Sequence, residues 1–181
     1  FCGAEPIRRE TLTAFADKFA AAGLNPGALY PCYGLAEATL LVTGGRPGSG
    51  AGAVNISADA MAAGRFEADA AGQAIVNCGA VQDEHTLMLM HPQSGEPVSE
   101  GMIGEVWVAG PSVAHGYWRN DAATAAGFVG MNGETWLRTG DLAFMRHGAL
   151  FITGRLKDLI LIRGQNLYPQ DLEILLEENI E

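Results

Sequence analysis

The chain reads as a mixed α/β fold with a β-rich middle, on three observations. Apolar residues recur every three and four positions from Ile7 to Ala22, the stripe of an amphipathic helix. Short apolar or alternating runs then succeed one another between clusters of turn residues, the texture of antiparallel strands. Near the end, the branched aliphatics Leu159 to Ile162 precede a second helical stripe. The 181 residues suffice for one domain, or one with part of a neighbour, at about 100 to 200 residues per domain. A chain of this size hides about 70% of its unfolded surface on folding, so it can build a core.

The elements follow in order. Leu12, Phe15, Ala16, Phe19 and Ala20 form the first stripe, with Pro6 suited to the first turn of the helix and Gly23 to its end. Ala28 to Tyr33 is short and apolar with Pro31 inside it, which predicts a strand end feeding a loop that carries Tyr33 to Glu37. From Gly44 to about Gln73 the chain turns to Gly, Ala, Ser and Pro, a texture that predicts an insertion lying on a surface and supplying no core by itself. Ala74 to Cys78, Thr86 to Met90, Glu105 to Ala109 and Leu150 to Thr153 read as strands, separated by turns such as His91 to Gly95 and His147-Gly148. Asn120 or Asp121 can cap a short helix through Ala126 that Gly127 ends. Leu159 to Ile162 predicts a buried strand, and after Gly164 a helix begins at Pro169 with Leu172, Leu175 and Leu176 on one face. A domain boundary is expected at Gly154 to Asp158.

Composition narrows the function classes. Hydrophobic residues make up 48% and charged residues 18%, which excludes disorder, collagen and coiled coil. The 24 glycines are about twice the average usage, so loops and close backbone approaches matter. Eleven basic against 21 acidic side chains leave a net charge of -10. With no clustered Lys and Arg, neither nucleic acid nor an anionic membrane is expected as a partner. Cys2, Cys32 and Cys78 have no metal spacing and read as buried reduced thiols, which makes a cytoplasmic location the expectation. The longest uncharged stretch, Phe19 to Ala36, holds Pro26, Pro31 and several glycines, so no membrane span is expected. His85, His91, His115 and His147 lack metal spacing and read as structural. Both ends read as cut, since the chain starts at Phe1 and stops within an expected helix.

Four clusters combine glycine or small residues with a charge: Gly3-Ala4-Glu5-Pro6, Tyr33-Gly34-Leu35-Ala36-Glu37, Thr139-Gly140-Asp141-Leu142 and Gly154-Arg155-Leu156-Lys157-Asp158. Each alone is an ordinary turn signature. Together and in this order they resemble the adenylate-forming ligases, the family of acyl-CoA synthetases, luciferases and fatty-acyl-AMP ligases. Phe1 to Ile7, Tyr33 to Leu41, Val113 to Trp118 and Gly164 to Asp171 are most similar to the fatty-acyl-AMP ligase branch.

The resemblance implies a fold and a set of roles. Residues 1–153 would be the C-terminal part of a large AMP-binding domain with its β-rich subdomain. Residues 44–73 would be an insertion, 154–158 a hinge with Lys157 at the pivot, and 159–181 the start of a small α+β domain. Gly3, Ala4 and Glu5 would line the adenine, with Gly34, Leu35 and Ala36 in the same nucleotide-binding stretch. Tyr33 would stack on the base, against the alternative of a plain core aromatic. Glu37 would assist Mg²⁺, which takes hard oxygen ligands; the alternative is a solvated surface carboxylate. Asp141 would accept hydrogen bonds from both ribose hydroxyls, or else form an Asx turn. Arg155 would reach the ribose and phosphates, or else pair with Asp158.

The implied activity of the parent is ATP-dependent activation of a fatty acid to acyl-AMP and pyrophosphate. The acyl group would then pass to the phosphopantetheine arm of an acyl carrier protein or polyketide synthase. Ala36, where many family members have Thr, and the 44–73 stretch both favour this hand-over over thioester formation with coenzyme A. The family's phosphate loop and catalytic lysine would lie outside Phe1 to Glu181. No catalytic residue is therefore expected here, and the 181 residues alone should bind nucleotide weakly and catalyse nothing measurable. The rivals are an acyl-CoA synthetase and a noncatalytic β-rich interaction module.

Overall fold

The computed structural model describes residues 1–82, 84–162, 165–169, 172 and 176. In chain order it contains α1 (Arg9–Ala20), β1 (Cys32–Tyr33), β2 (Thr43–Gly44), β3 (Ala53–Ile56), α2 (Ala58–Ala62), β4 (Gln73–Val76), β5 (Ala80–Val81) and β6 (Thr86–Met90). There follow β7 (Gly104–Ala109), α3 (Asp121–Gly127), β8 (Phe128–Met131), β9 (Glu134–Arg146), β10 (Ala149–Arg155), β11 (Ile160–Ile162) and β12 (Gln165–Leu167). The fold is mixed α/β. Its frame is a five-stranded antiparallel sheet in the order β10-β9-β7-β6, with β8 also on β9. A three-stranded sheet β1-β2-β5 and the two-stranded antiparallel pairs β3-β4 and β11-β12 complete the described sheets.

The first helix ends as its sequence predicts. Gly23, at φ +84°, donates to Ala20, and the Leu24 N–H returns to Phe19, the left-handed stop that glycine permits. Pro6, however, lies ahead of the N-cap Arg8 and not in the first turn. The apolar stripe is only partly covered among the described residues: no residue of α1 is fully buried, Leu12 and Ala16 are half-buried, and Phe15 and Phe19 are exposed with ring centroids 4.7 Å apart. Asn120 caps α3 by accepting from Ala123 N–H at 3.1 Å.

Four expectations are corrected. The 44–73 stretch does not merely lie on a surface: Ile56, Ala60 and Met61 are buried, and Ile56 and Met61 share a core cluster with Ile103, Leu142, Phe144, Phe151 and Tyr168. Small residues dominate its sequence, but two large apolar side chains on β3 and α2 anchor it. Of the run Leu159 to Ile162, residues Ile160–Ile162 form a strand whose side chains are exposed, since among the described residues β11 pairs only with β12, while Leu159 packs against the core. Cys2 and Cys32 are only half-buried; Cys78 is buried. Thr139-Gly140-Asp141 reads as a turn but lies inside β9, the longest described strand. Instead, Gly140 at φ +73° sits where the β7 register shifts between Glu105 and Trp107. A bulge thus absorbs the glycine without ending the strand.

At the expected boundary, Gly154 and Arg155 still belong to β10, opposite Leu142 and Asp141, and Leu156–Asp158 form a 3-10 turn. Beyond it, Pro169, Leu172 and Leu176 are helical, with the two leucines exposed. Gly164, Gln170, Asp171 and Leu175 lie outside the described residues. No described helix is long and apolar enough to cross a membrane.

Candidate functional site

The bulge in β9 turns Asp141 into a buried node. The Thr139 hydroxyl donates to Val106 O at 2.8 Å and accepts from Asp141 N–H at 3.1 Å, fixing the backbone around Gly140. One residue earlier, Arg138 donates to the buried Glu105 at 2.9 Å, and Trp107 Nε1 donates to the same oxygen at 3.1 Å. Asp141 itself is 6% exposed. Its Oδ2 accepts from the Tyr33 hydroxyl at 2.7 Å and its Oδ1 from Arg155 Nε at 2.8 Å. A carboxylate so buried needs such partners, because desolvation disfavours its charge.

Three motifs distant in sequence therefore meet at one carboxylate. Burial, reinforced by the Asp141 charge, pushes the Tyr33 phenol well above its usual range, so it stays a donor. The hydrogen bond to Asp141, followed by its charge, raises Arg155. Arg155 makes its ion pair with Asp141, not with Asp158. Tyr33 is 8% exposed and belongs to the cluster of Val42, Val106, Val108 and Leu150, so its ring is largely committed to the core and its hydroxyl to Asp141.

The Gly3-Ala4-Glu5 loop lies beside Tyr33. Cys2 N–H donates to Tyr30 O at 2.7 Å and Cys32 N–H donates to Cys2 O at 2.9 Å, so the loop leaves a short parallel bridge to the chain entering β1. Gly3, Ala4 and Glu5 are exposed. A Cβ at Gly3 would stand 2.9 Å from Cys32 O, a close approach that favours glycine. After Tyr33, a Cβ on Gly34 would overlap the carbonyl of Leu40. The loop thus folds back through Leu35 and Ala36 into a 3-10 turn, with Leu40 N–H on Leu35 O at 3.0 Å.

Glu37 sits in that 3-10 turn. Its carbonyl accepts from Ala114 N–H at 2.7 Å, and its Oε1 accepts from the Tyr117 hydroxyl at 2.8 Å. Glu37 and Asp141 are connected through the loop that runs on from Tyr33. Tyr117 lies in the stretch Val113 to Trp118 that carries part of the resemblance, but nothing in its local sequence points to this contact with Glu37. Among the described residues no group of three metal-ligating side chains exists. A lone half-exposed carboxylate with one oxygen bound only by a neutral phenol still fits Mg²⁺, which takes one or two carboxylates and completes its shell with phosphate and water. Lys157 is exposed in the 3-10 turn after β10.

The chain is thus a mixed α/β frame in which motifs far apart in sequence meet at a buried, donor-held carboxylate. The profile of the AMP-binding enzymes matches residues 1–118, and the chain belongs to that family. It is 40% identical to the medium-chain-fatty-acid–[acyl-carrier-protein] ligase JamA of Moorena producens (strain JHB), over 98% of this chain and 32% of JamA. It also superposes on a chain from structural and functional studies of fatty acyl-adenylate ligases from E. coli and L. pneumophila. There the TM-score is 0.88 at 36% identity, over 99% of this chain and 32% of that one. The fatty acyl-adenylate ligase from L. pneumophila in complex with acyl adenylate and pyrophosphate matches with a TM-score of 0.80 and 39% identity, over 86% of this chain and 28% of that one. The chain spans about a third of the length of the relatives it matches.

Proposed function

We propose that the protein carrying this chain activates a fatty acid with ATP, forming acyl-AMP and releasing pyrophosphate. The observation that carries this reading is the Asp141 node. A carboxylate offers about four lone-pair sites. Tyr33 and Arg155 take one on each oxygen, which leaves one on each for the two ribose hydroxyls. Gly3, Ala4 and Glu5 line the adenine beside them, Tyr33 offers the base its remaining exposed edge, and Gly34, Leu35 and Ala36 complete that wall. Arg155, half-exposed, reaches toward the ribose and phosphates. In the reaction a carboxylate oxygen of the fatty acid attacks the α-phosphorus, and the bond to the pyrophosphate oxygen breaks as that oxygen leaves with its electron pair. Glu37 would hold Mg²⁺, which neutralises phosphate charge when bound.

The acceptor we assign is the phosphopantetheine thiol of an acyl carrier protein or polyketide synthase, not coenzyme A. This rests on Tyr168, which lies beyond the 154–158 hinge yet is 1% exposed in the cluster of Ile56 and Met61. Contacts between the 44–73 stretch and the segment after the hinge oppose the rotation about Lys157 that thioester formation with free coenzyme A needs. The thiol-only cysteines support a cytoplasmic setting.

Two measurements on the full-length protein test the reading. Asp141→Ala should weaken ATP binding about ten- to a hundredfold, since hydrogen bonds to a charged group contribute about 1.5 to 3 kcal/mol; unchanged affinity would favour a noncatalytic module. Incubation with fatty acid, ATP and coenzyme A should yield acyl-AMP and little acyl-CoA by mass. Abundant acyl-CoA would make the protein an acyl-CoA synthetase.

A further inference from the structure

We propose that Tyr117 is a positioning residue for Glu37, its phenol tethering one carboxylate oxygen so that the other faces the divalent cation on the ATP phosphates. The inference rests on the reading of Glu37 as that cation's carboxylate. The two residues are 80 positions apart, and their hydrogen bond measures 2.8 Å. Their backbones are clipped together by Ala114 N–H on Glu37 O at 2.7 Å, so the side chains meet across a joined pair of loops.

Tyr117 is itself held from several sides. Its N–H donates to Thr124 Oγ1 at 2.9 Å, and Thr124 rides on α3, whose start Asn120 caps. Its ring stands edge-on to Phe128, with centroids 5.5 Å apart. Gly116 lies at φ +151°, and a Cβ there would crowd Thr124 Cγ2 at 2.5 Å, so glycine is what lets α3 close against the loop. The donor is thus preorganised. Its neutrality matters as much: a Lys or Arg in its place would orient Glu37 but cancel the charge a cation ligand needs, whereas a phenol orients it and leaves that charge intact.

The test is Mn²⁺ binding to the ATP-loaded full-length enzyme, read by electron paramagnetic resonance without fatty acid, so that no turnover contributes. Partners that orient metal ligands typically contribute tenfold or more in affinity. Tyr117→Phe should therefore weaken Mn²⁺ binding about tenfold, leave metal-free ATP binding at the wild-type value, and add nothing in the Glu37→Gln background. Wild-type Mn²⁺ affinity in Tyr117→Phe, or an equal loss of metal-free ATP binding, would overturn the positioning role while leaving Glu37 as ligand. Wild-type Mn²⁺ affinity in Glu37→Gln would instead remove Glu37 from the metal site, and the proposal with it.

Discussion

Asp141 concentrates the chemistry of the site in one side chain, and its two donors divide the work. Arg155 supplies charge from a half-exposed position, while Tyr33 supplies a buried, neutral hydrogen bond. Tyr33→Phe keeps the ring in its cluster but frees Oδ2 to turn. We expect ATP affinity to fall about tenfold by calorimetry, at the lower end of what a hydrogen bond to a charged group contributes, with the KM for fatty acid unchanged. Proton linkage gives a second residue-scale expectation. Burial pushes the Cys78 thiol from its ordinary 9.0 up to about 12. Between these values the folded state holds a proton that the unfolded state has lost, so stability is complete below pH 9 and falls as pH rises toward 12. The buried Tyr33 phenol acts in the same direction above pH 10. Melting temperatures of the full-length enzyme should decline from pH 9 upward, and Cys78→Ala should flatten the first part of that decline. At this scale the sequence was informative where a residue belongs to a compact motif, as Asp141, Tyr33 and Glu37 do. It was silent on Tyr117, whose role depends on a loop arriving from 80 positions away.

Among elements, those with one clean period were legible and those that break period were not. β6 and β7 are uninterrupted apolar or alternating runs. β9 carries Arg138, Thr139, Gly140 and Asp141 at its middle, and its pairing with β7, β8 and β10, with a register shift on β7, makes a strand of it. The aliphatic run in β11 announced a strand correctly but could not say what covers it. Two glycines separate conformation from packing in these elements. At Gly140 a Cβ meets nothing within 4 Å, but φ is +73°; Gly140→Ala should therefore cost only backbone strain, about 1 to 2 kcal/mol, seen as a modest drop in melting temperature. Gly34 has no positive φ, yet its Cβ would overlap the Leu40 carbonyl, so Gly34→Ala must displace the loop that holds Glu37. We expect it to impair Mn²⁺·ATP binding as well as stability, whereas Gly140→Ala should show only the drop in melting temperature.

Across the whole molecule, one cluster joins parts that the sequence presents as separate. Ile56 and Met61 come from the stretch that reads as a surface insertion, Phe144 and Phe151 from the central sheet, and Tyr168 from beyond the hinge. Phe144 and Phe151 stack at 4.9 Å on the sheet side of this cluster, and Met61, an unbranched side chain on the short α2, packs against them as its adaptable member. Truncating it to Ala should destabilise by about 2 to 5 kcal/mol. The loss should not be spread evenly, because Tyr168 and Leu159, both after the hinge, pack on this cluster while the described β11 side chains are exposed. If this cluster is what opposes rotation, Met61→Ala should raise amide hydrogen exchange around Tyr168 before it does so in β9 or β10. It should also increase the yield of acyl-CoA from fatty acid, ATP and coenzyme A while leaving acyl-AMP formation intact, since Asp141 and its donors lie on other contacts. A variant with faster exchange at Tyr168 but no more acyl-CoA than wild type would show that the packing of Met61 stabilises the fold without governing which thiol accepts the acyl group.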